Sequence, residues 1–293
     1  MQKIKSAVRK SAIPETNAFV IQRLDDAHFD LNWHFHQEYQ LFVVLEGTGT
    51  RFIGDNIKPF KEGDMVFTGP DLPHLWRCDD IYFQKYSKLR SRGIVIYFQD
   101  KFLGKSLLHK DEMTSIRQLF QRARQGMEIY GKTNTAVSKM MVELEKLSGL
   151  DSIIKLLQIL NELAVSTEYQ SLSKSNFIPS YKESDNNRMN KVYEHILKNF
   201  KHNISLNEVA AIASMTPSSF SRYFKARANK SFSNFVSEIR TGHARKLLLE
   251  DHLNIAQVCY ECGFKTLSNF NKQFKEITGT TPLKYRKEYL KVI

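Results

Sequence analysis

The sequence predicts a two-domain α+β protein, with an N-terminal β-barrel and flanking helices followed by a C-terminal domain made only of helices. Three observations predict it. Aromatic and β-branched residues punctuated by Gly and Pro fill the first hundred residues, helical periodicity follows, and a fifty-residue repeat lies near the C-terminus. The 293 residues suffice for about two domains. A hydrophobic fraction of 42% with 25% charged residues is typical of a folded protein.

The strand signals lie in residues 17–100. The segments LFVVLEGTGTRFI, KPFKEGDMVFTGPDLPH and GIVIYF are rich in β-formers and are bounded by turn residues. Many short strands at close spacing are typical of an antiparallel sandwich or barrel.

Helical signals replace them in residues 111–166. In DSIIKLLQILNELAV, apolar residues recur every three or four positions and therefore share one helix face. Two interpretations stay open: this stripe packs on the strands, or it forms the seam of a homodimer. The residues of the stripe are Ile153, Leu156, Leu157, Leu160 and Leu163.

Residues 167–187 are rich in Ser, Asn and charged residues, which predicts a linker. The predicted domains are therefore 1–166 and 188–293. The first twelve residues are basic but lack the apolar stretch of a signal peptide, and no apolar run approaches the roughly 20 residues of a membrane span. We expect a cytoplasmic protein with no membrane partner.

The positive charge is concentrated in the second domain. The chain has 43 Lys+Arg and 31 Asp+Glu, a net charge of +12. From Asn186 onward, 18 Lys+Arg face 8 Asp+Glu, so this part carries 18 − 8 = +10 and the rest carries 25 − 23 = +2. A basic domain beside a nearly neutral one favours a phosphate-rich partner, most simply nucleic acid.

An internal repeat gives the strongest signal. FSRYFK at 220–225 recurs as FNKQFK at 270–275, and each copy follows a short helix and a turn. The second turn is one residue longer. Each unit predicts a helix-turn-helix, in which the second helix enters the major groove of DNA. The 17-residue amphipathic connector between the units would span about 26 Å, which suits two groove segments about 34 Å apart.

Helical spacing separates the residues of each repeat by role. Phe220 and Phe224 share a face, as do Phe270 and Phe274, and both pairs are interpreted as core. The opposite faces carry hydroxyls, amides and cations, which can bond base edges or phosphates. An ordinary solvated face is also polar, but recurrence in both units favours DNA contacts. These residues are Ser218, Ser221, Arg222 and Lys225, then Ser268, Asn271, Lys272 and Lys275.

Two of the three cysteines, Cys259 and Cys262, form a C-x-x-C motif. A zinc site would need two further ligands, and none lies close by in the sequence. We interpret both as small buried residues of a helix.

The C-terminal third resembles the AraC/XylS family of bacterial transcription regulators. The resemblance rests on the GF at 263–264, both F-x-x-x-F-K motifs, and a closing G-x-T-P-x-x-Y-R that begins at Gly279. It implies base contacts at Ser218, Ser221 and Arg222, and at Ser268, Asn271 and Lys272. The complete predicted DNA-binding set is Ser218, Ser219, Ser221, Arg222, Lys225, Ser268, Asn269, Asn271, Lys272 and Lys275.

The strand-rich region resembles the cupin barrel that precedes this domain in many family members. Cupin enzymes hold a metal with three histidines and a carboxylate; here His34, His36 and His74 match, but Gln40 stands at the carboxylate position. Three interpretations stay open: barrel packing, a pocket for a small effector, or a catalytic metal, which the neutral Gln40 disfavours. We expect no resident metal or cofactor. The predicted effector-binding residues are His34, His36, Gln40, His74 and Trp76.

The sequence thus predicts a sequence-specific regulator that binds double-stranded DNA, responds to a small-molecule effector and is not an enzyme. A homodimer is expected, and RNA polymerase is a further candidate partner. The rival hypotheses are a cupin metalloenzyme with a nucleic-acid anchor and a sequence-indifferent architectural DNA binder.

Overall fold

The computed structural model describes residues 13–173, 183–249 and 252–290. The chain divides into two compact units, an N-terminal one of residues 1–56 and 60–179 and a C-terminal one of residues 57–59 and 180–293. The first twelve residues, on which the expectation of no signal peptide rests, lie outside the described residues. No helix among the described residues is long and apolar enough to cross a membrane.

Among the described residues, those before residue 174 form nine strands and four α-helices. The strands are β1 (Phe19–Asp26), β2 (Tyr39–Glu46), β3 (Gly49–Ile53), β4 (Asn56–Phe60), β5 (Met65–Thr68), β6 (His74–Cys78), β7 (Ser91–Phe98), β8 (Met127–Ile129) and β9 (Tyr169–Ser171). The helices are α1 (Lys105–Leu108), α2 (Thr114–Ala123), α3 (Gly131–Leu144) and α4 (Gly149–Val165).

The strands form two antiparallel sheets: a six-stranded sheet of order β1-β7-β2-β5-β8-β9 and a three-stranded sheet of order β4-β3-β6. Among the described residues, the strands that were predicted to form a barrel form these two sheets. Side chains of β2 alternate between two cores. Phe42 and Val44 pack toward the small sheet, where Phe42 contacts Trp76 with ring centroids 4.8 Å apart, whereas Leu41 and Val43 pack against the helices.

The apolar stripe of α4 is mostly core. Leu156, Leu160 and Leu163 are buried in the cluster that α2, α3 and α4 form with the large sheet, and Ile153 and Leu157 are half-buried. The packing interpretation therefore accounts for the predicted stripe. The homodimer stays a prediction, and the exposed apolar residues at the start of α4 are what favours it.

The predicted linker differs from the structure at both of its ends. Strand β9 pairs with β8, so that Tyr169 lies opposite Ile129, and helix α5 already begins at Glu183. Residues 174–182 lie outside the described residues. A three-residue edge strand is too short to show a periodic pattern, and its Ser and Gln content is equally typical of a loop.

Among the described residues from 183 onward, the regular secondary structure is entirely helical, as predicted. They are α5 (Glu183–Asn199), α6 (Leu206–Ile212), α7 (Pro217–Ala228), α8 (Phe232–Leu247), α9 (Ile255–Glu261), α10 (Leu267–Thr278) and α11 (Pro282–Leu290). The connector α8 has 16 residues, one fewer than predicted, and is about 24 Å long.

Candidate DNA-binding surface and effector cavity

Two helix-turn-helix units, α6–α7 and α9–α10, repeat the same local structure. The first helix of each begins with a capping box, formed by Ser205 and Glu208 in one and by Asn254 and Gln257 in the other. The turns 213–216 and 262–266 differ by one residue, as predicted.

Each second helix is capped by a threonine. Thr216 Oγ1 accepts from Ser219 N at 3.3 Å, and Thr266 Oγ1 accepts from Asn269 N at 3.2 Å. Because the caps are equivalent, α7 and α10 begin at the same point of the repeat.

The repeated phenylalanines pack the inner face of each of these helices into the core. Phe220, Phe224, Phe270 and Phe274 are all fully buried, which confirms the core interpretation. The rings of Phe220 and Phe224 lie 5.5 Å apart, and those of Phe270 and Phe274 lie 5.6 Å apart. Burial of one face fixes the opposite face of each helix toward solvent.

Nine of the ten predicted DNA-binding residues are exposed on those outer faces. The exception is the half-buried Ser219, whose hydroxyl accepts a hydrogen bond from Thr216 Oγ1 at 3.0 Å. Ser221 Oγ donates to Pro217 O at 2.9 Å, so its lone pairs remain available to an outside donor. The exposed nine are Ser218, Ser221, Arg222, Lys225, Ser268, Asn269, Asn271, Lys272 and Lys275.

One cation of α7 was missed by the sequence analysis. The guanidinium of Arg227 lies 4.0 Å from the centroid of the Tyr223 ring, close enough for a cation–π contact. The four-residue spacing of Tyr223 and Arg227 on one helix face is a signal that could have found this pair.

The two cysteines of the C-x-x-C motif are core residues. Cys259 and Cys262 are fully buried and pack with Phe264, Phe270 and Phe274. Burial raises the pKa of the Cys262 thiol to about 12, so the thiolate is disfavoured. The interpretation as small buried residues agrees with the structure.

In the N-terminal unit, a cavity of about 60 Å³ brings together four of the five predicted effector residues. His34, Gln40, His74 and Trp76 line it, and His36 lies behind Gln40 without reaching the wall. The other lining residues were not predicted from the sequence, although Val95 and Tyr97 follow from the alternation of side chains along β7. The missed set is Leu24, Phe29, Asp30, Phe42, Val95 and Tyr97.

Backbone carbonyls orient all three histidine rings. The Nδ1 atoms of His34, His36 and His74 lie 2.7, 3.1 and 2.8 Å from the carbonyl oxygens of Asn32, Glu38 and Leu72. Since a carbonyl oxygen only accepts, each Nδ1 carries the proton, and in the neutral ring Nε2 presents a lone pair.

Gln40 lies where two of these lone pairs converge. Its Oε1 is 3.1 Å from both His36 Nε2 and His74 Nε2. An oxygen acceptor facing two nitrogen acceptors is unfavourable by itself. Either the amide is reversed, so that its NH₂ donates to both rings, or a cation lies between the donors.

The histidine cluster fits a divalent transition metal. His34, His36 and His74 are buried, and their candidate ligand atoms all lie within 4.8 Å of one another. Imidazole nitrogens suit such ions, and a carbonyl behind each ring is the usual support of a metal-binding histidine. These rings and Gln40 would hold the ion, which would supply an open coordination position. The geometry is thus compatible with a resident ion, which the sequence analysis did not expect.

Trp76 adds a donor without an acceptor. The residue is 5% exposed, and among the described residues its Nε1 has no hydrogen-bond partner. A buried N–H that lacks an acceptor is costly unless a ligand or water supplies one.

A buried carboxylate lies behind the cluster. Glu38 is 2% exposed; its Oε2 is 3.4 Å from His36 Nδ1, and its Oε1 accepts from Gln99 Nε2 at 3.0 Å. At the wall of the cavity, the exposed Asp30 accepts hydrogen bonds from the backbone and side chain of Asn32.

Comparison with known proteins identifies both units. A helix-turn-helix domain family matches residues 209–288, and a cupin domain family matches residues 20–80. A curated relative, the uncharacterized HTH-type transcriptional regulator YdeC of Bacillus subtilis, is 23% identical over 87% of this chain and 85% of its own. The chain therefore carries a helix-turn-helix domain and an N-terminal cupin domain, and it is similar over most of its length to an HTH-type transcriptional regulator.

Other relatives match most or part of the chain. The HTH-type transcriptional activator RhaR of Mannheimia succiniciproducens is 20% identical over 88% of each chain. The porin thermoregulatory protein EnvY of Escherichia coli is 37% identical over 31% of this chain and 35% of its own. A solved AraC-type DNA-binding domain-containing regulator from Chromobacterium violaceum is 20% identical, with a TM-score of 0.33, over 36% of this chain and 96% of that one.

Proposed function

We propose that this regulator reads a specific promoter sequence with α7 and α10, and that a small effector in the cupin cavity controls how it does so. The observation that carries the proposal is the equivalence of the two outer faces. Both present hydroxyls or amides followed by cations, and both are fixed by a fully buried phenylalanine pair.

Charge supports DNA as the partner of these faces. Helix α7 contains three cations, Arg222, Lys225 and Arg227, and no acidic residue. Helix α10 contains two lysines against the single Glu276. Exposed cations that flank hydrogen-bonding side chains supply phosphate contacts beside base contacts.

The effector role rests on the cavity. It combines aromatic walls with a few convergent polar groups, the usual composition of a small-molecule site. To regulate, the effector must bind one functional state more tightly than another. The relatives are transcription regulators, so we assign no catalytic role to the histidine cluster.

We further propose that the protein acts as a homodimer through the start of α4. Leu150 is 70% exposed and Ile154 is 44% exposed, and Leu147 just before the helix is also exposed. Several exposed large apolar residues close together in the chain are typical of a protein–protein contact. RNA polymerase remains a candidate partner that no described residue identifies.

Selection of bound fragments from a random DNA library at near-physiological salt tests the DNA proposal. We expect a recovered motif with two elements about one helical turn apart. An architectural binder would retain fragments with no shared motif. The metalloenzyme alternative would instead require turnover that depends on His34, His36 and His74.

A further inference from the structure

The donors that converge in the cupin cavity are electrically neutral. Three imidazole nitrogens and the Gln40 amide oxygen carry no formal charge, so they leave the charge of a divalent ion unchanged. Burying charge without compensation is costly, and a carboxylate at position 40 would have offset part of it.

The surroundings supply only part of the missing negative charge. The buried Glu38 contributes one carboxylate on the far side of His36. Asp30 and Asp71, which also interacts electrostatically with His36, are both exposed, so solvent screens their carboxylates. A divalent ion at the cluster would therefore keep about one positive charge that favours an anion beside it.

The cavity offers such an anion both space and a hydrogen bond. Its volume of about 60 Å³ can hold a small anion. Trp76 lines the same cavity, and its unpartnered Nε1 donor matches an oxygen acceptor. The indole ring of Trp76 lies 5.8 Å from the imidazole ring of His74, so one small ligand can reach both the cluster and the indole.

We propose that Gln40 and Trp76 make divalent-metal binding at His34, His36 and His74 depend on a small carboxylate, so that the cavity senses ion and anion together. This inference rests on the proposed effector role of the cavity. Gln40 leaves the ion in need of negative charge, and Trp76 Nε1 donates to the carboxylate that supplies it. Binding of either partner then strengthens binding of the other by the same factor.

Nickel and acetate are suitable probes, with the full-length protein as the sample. The chain has two tryptophans, so Trp33→Phe leaves Trp76 as the only indole reporter in the cavity. Nickel binding is measured by equilibrium dialysis and by Trp76 fluorescence, in acetate or in chloride at equal ionic strength and equal free nickel. We expect one ion per chain and nickel affinity about tenfold higher in acetate. Equal affinity in both salts overturns the inference.

Two substitutions separate the roles of the two residues. Gln40→Glu supplies the missing charge, so nickel affinity should rise in chloride and the acetate effect should disappear. Trp76→Phe removes only the donor; nickel should still bind, and the acetate effect should fall severalfold, since a hydrogen bond to an ion contributes about tenfold. An unchanged acetate effect in either variant contradicts its assigned role.

His74→Ala tests the location of the ion. Loss of nickel binding is expected, with folding checked by circular dichroism; retention of one nickel per chain would place the ion elsewhere. If His74→Ala does not fold, the nickel affinity of Gln40→Glu in chloride still tests the location, because a carboxylate at position 40 raises this affinity only if the ion lies beside it. The DNA selection described above distinguishes the two proposals. A recovered motif without cooperative nickel and acetate binding refutes this inference alone, and cooperative binding without a motif refutes the DNA proposal alone.

Discussion

Phe274 packs edge-to-face against Phe270, with ring centroids 5.6 Å apart, and neither side chain is exposed. The pair joins α10 to Val258 and Cys259 of α9 and to Ala244 of α8 in a single cluster. The orientation of the proposed reading face of the second unit therefore depends on this apolar contact.

We predict that Phe274→Ala destabilises the protein by about 3–5 kcal/mol, because it removes a fully buried ring and leaves a cavity. Urea unfolding followed by circular dichroism measures the free energy. Tyr260→Ala is the matched control, since Tyr260 on α9 is 61% exposed, and its cost should stay within about 0.5 kcal/mol. Similar costs for the two variants would contradict the assigned core.

Arg222 distinguishes base reading from phosphate binding. If it contacts a base, Arg222→Ala should weaken binding to the selected motif by about 1–3 kcal/mol and relax specificity at one position. Lys85→Ala, which removes an exposed cation from the N-terminal unit, serves as the control. Affinity measured on a set of single-base variants at several salt concentrations gives the answer. Uniform weakening on every sequence, with a salt slope lower by about one, would show a phosphate contact instead.

The tandem repeat was predictable because its signals are local. A phenylalanine every four residues places two rings on one helix face, and Thr216 and Thr266 mark equivalent helix starts. Each of these signals lies within one or two helical turns. It can therefore be recognised in the sequence without knowledge of the tertiary structure.

The cavity was only partly predictable because its wall comes from separate strands. His34 and His36 were both predicted to bind the effector, yet only His34 lines the cavity, and His36 Nε2 lies 3.1 Å from Gln40 Oε1. The full burial of Arg51 could not be predicted from the sequence either. Its ion-pair partners, Asp64 and Glu128, lie 13 and 77 residues away, so only the sheet pairings bring the three together.

Because of Cys262, we expect the free energy of unfolding to depend on pH in the alkaline range. Burial raises the pKa of its thiol from 9.0 to about 12 in the folded protein. The unfolded thiol therefore ionises first, and its contribution, fully present below pH 9, is lost as the pH rises toward 12. The free energy of unfolding of the wild type should fall across this window by about 1 kcal/mol per pH unit more steeply than that of Cys262→Ala.

Denaturant unfolding of both proteins at closely spaced pH values measures this difference in slope. The small cavity left by the substitution lowers stability at every pH and so does not affect the comparison. Tyr39, whose pKa burial also raises to about 12, is present in both proteins and cancels. Parallel slopes would mean that the Cys262 thiol has the same pKa in the folded and unfolded protein, which would contradict its assignment as a buried neutral thiol.

The proposed dimer depends on exposed apolar residues at the start of α4. Leu150→Glu and Ile154→Glu together introduce two negative charges at side chains that are 70% and 44% exposed. Both positions already contact solvent, so the monomer should lose little stability, whereas burying the charges in an interface would be costly. Sedimentation should therefore show a dimer for the wild type and a monomer for the double variant. Leu283→Glu, on α11 and 52% exposed, should leave the dimer intact. A double variant that remains dimeric would place the interface on another surface, and a monomeric wild type would refute the dimer itself.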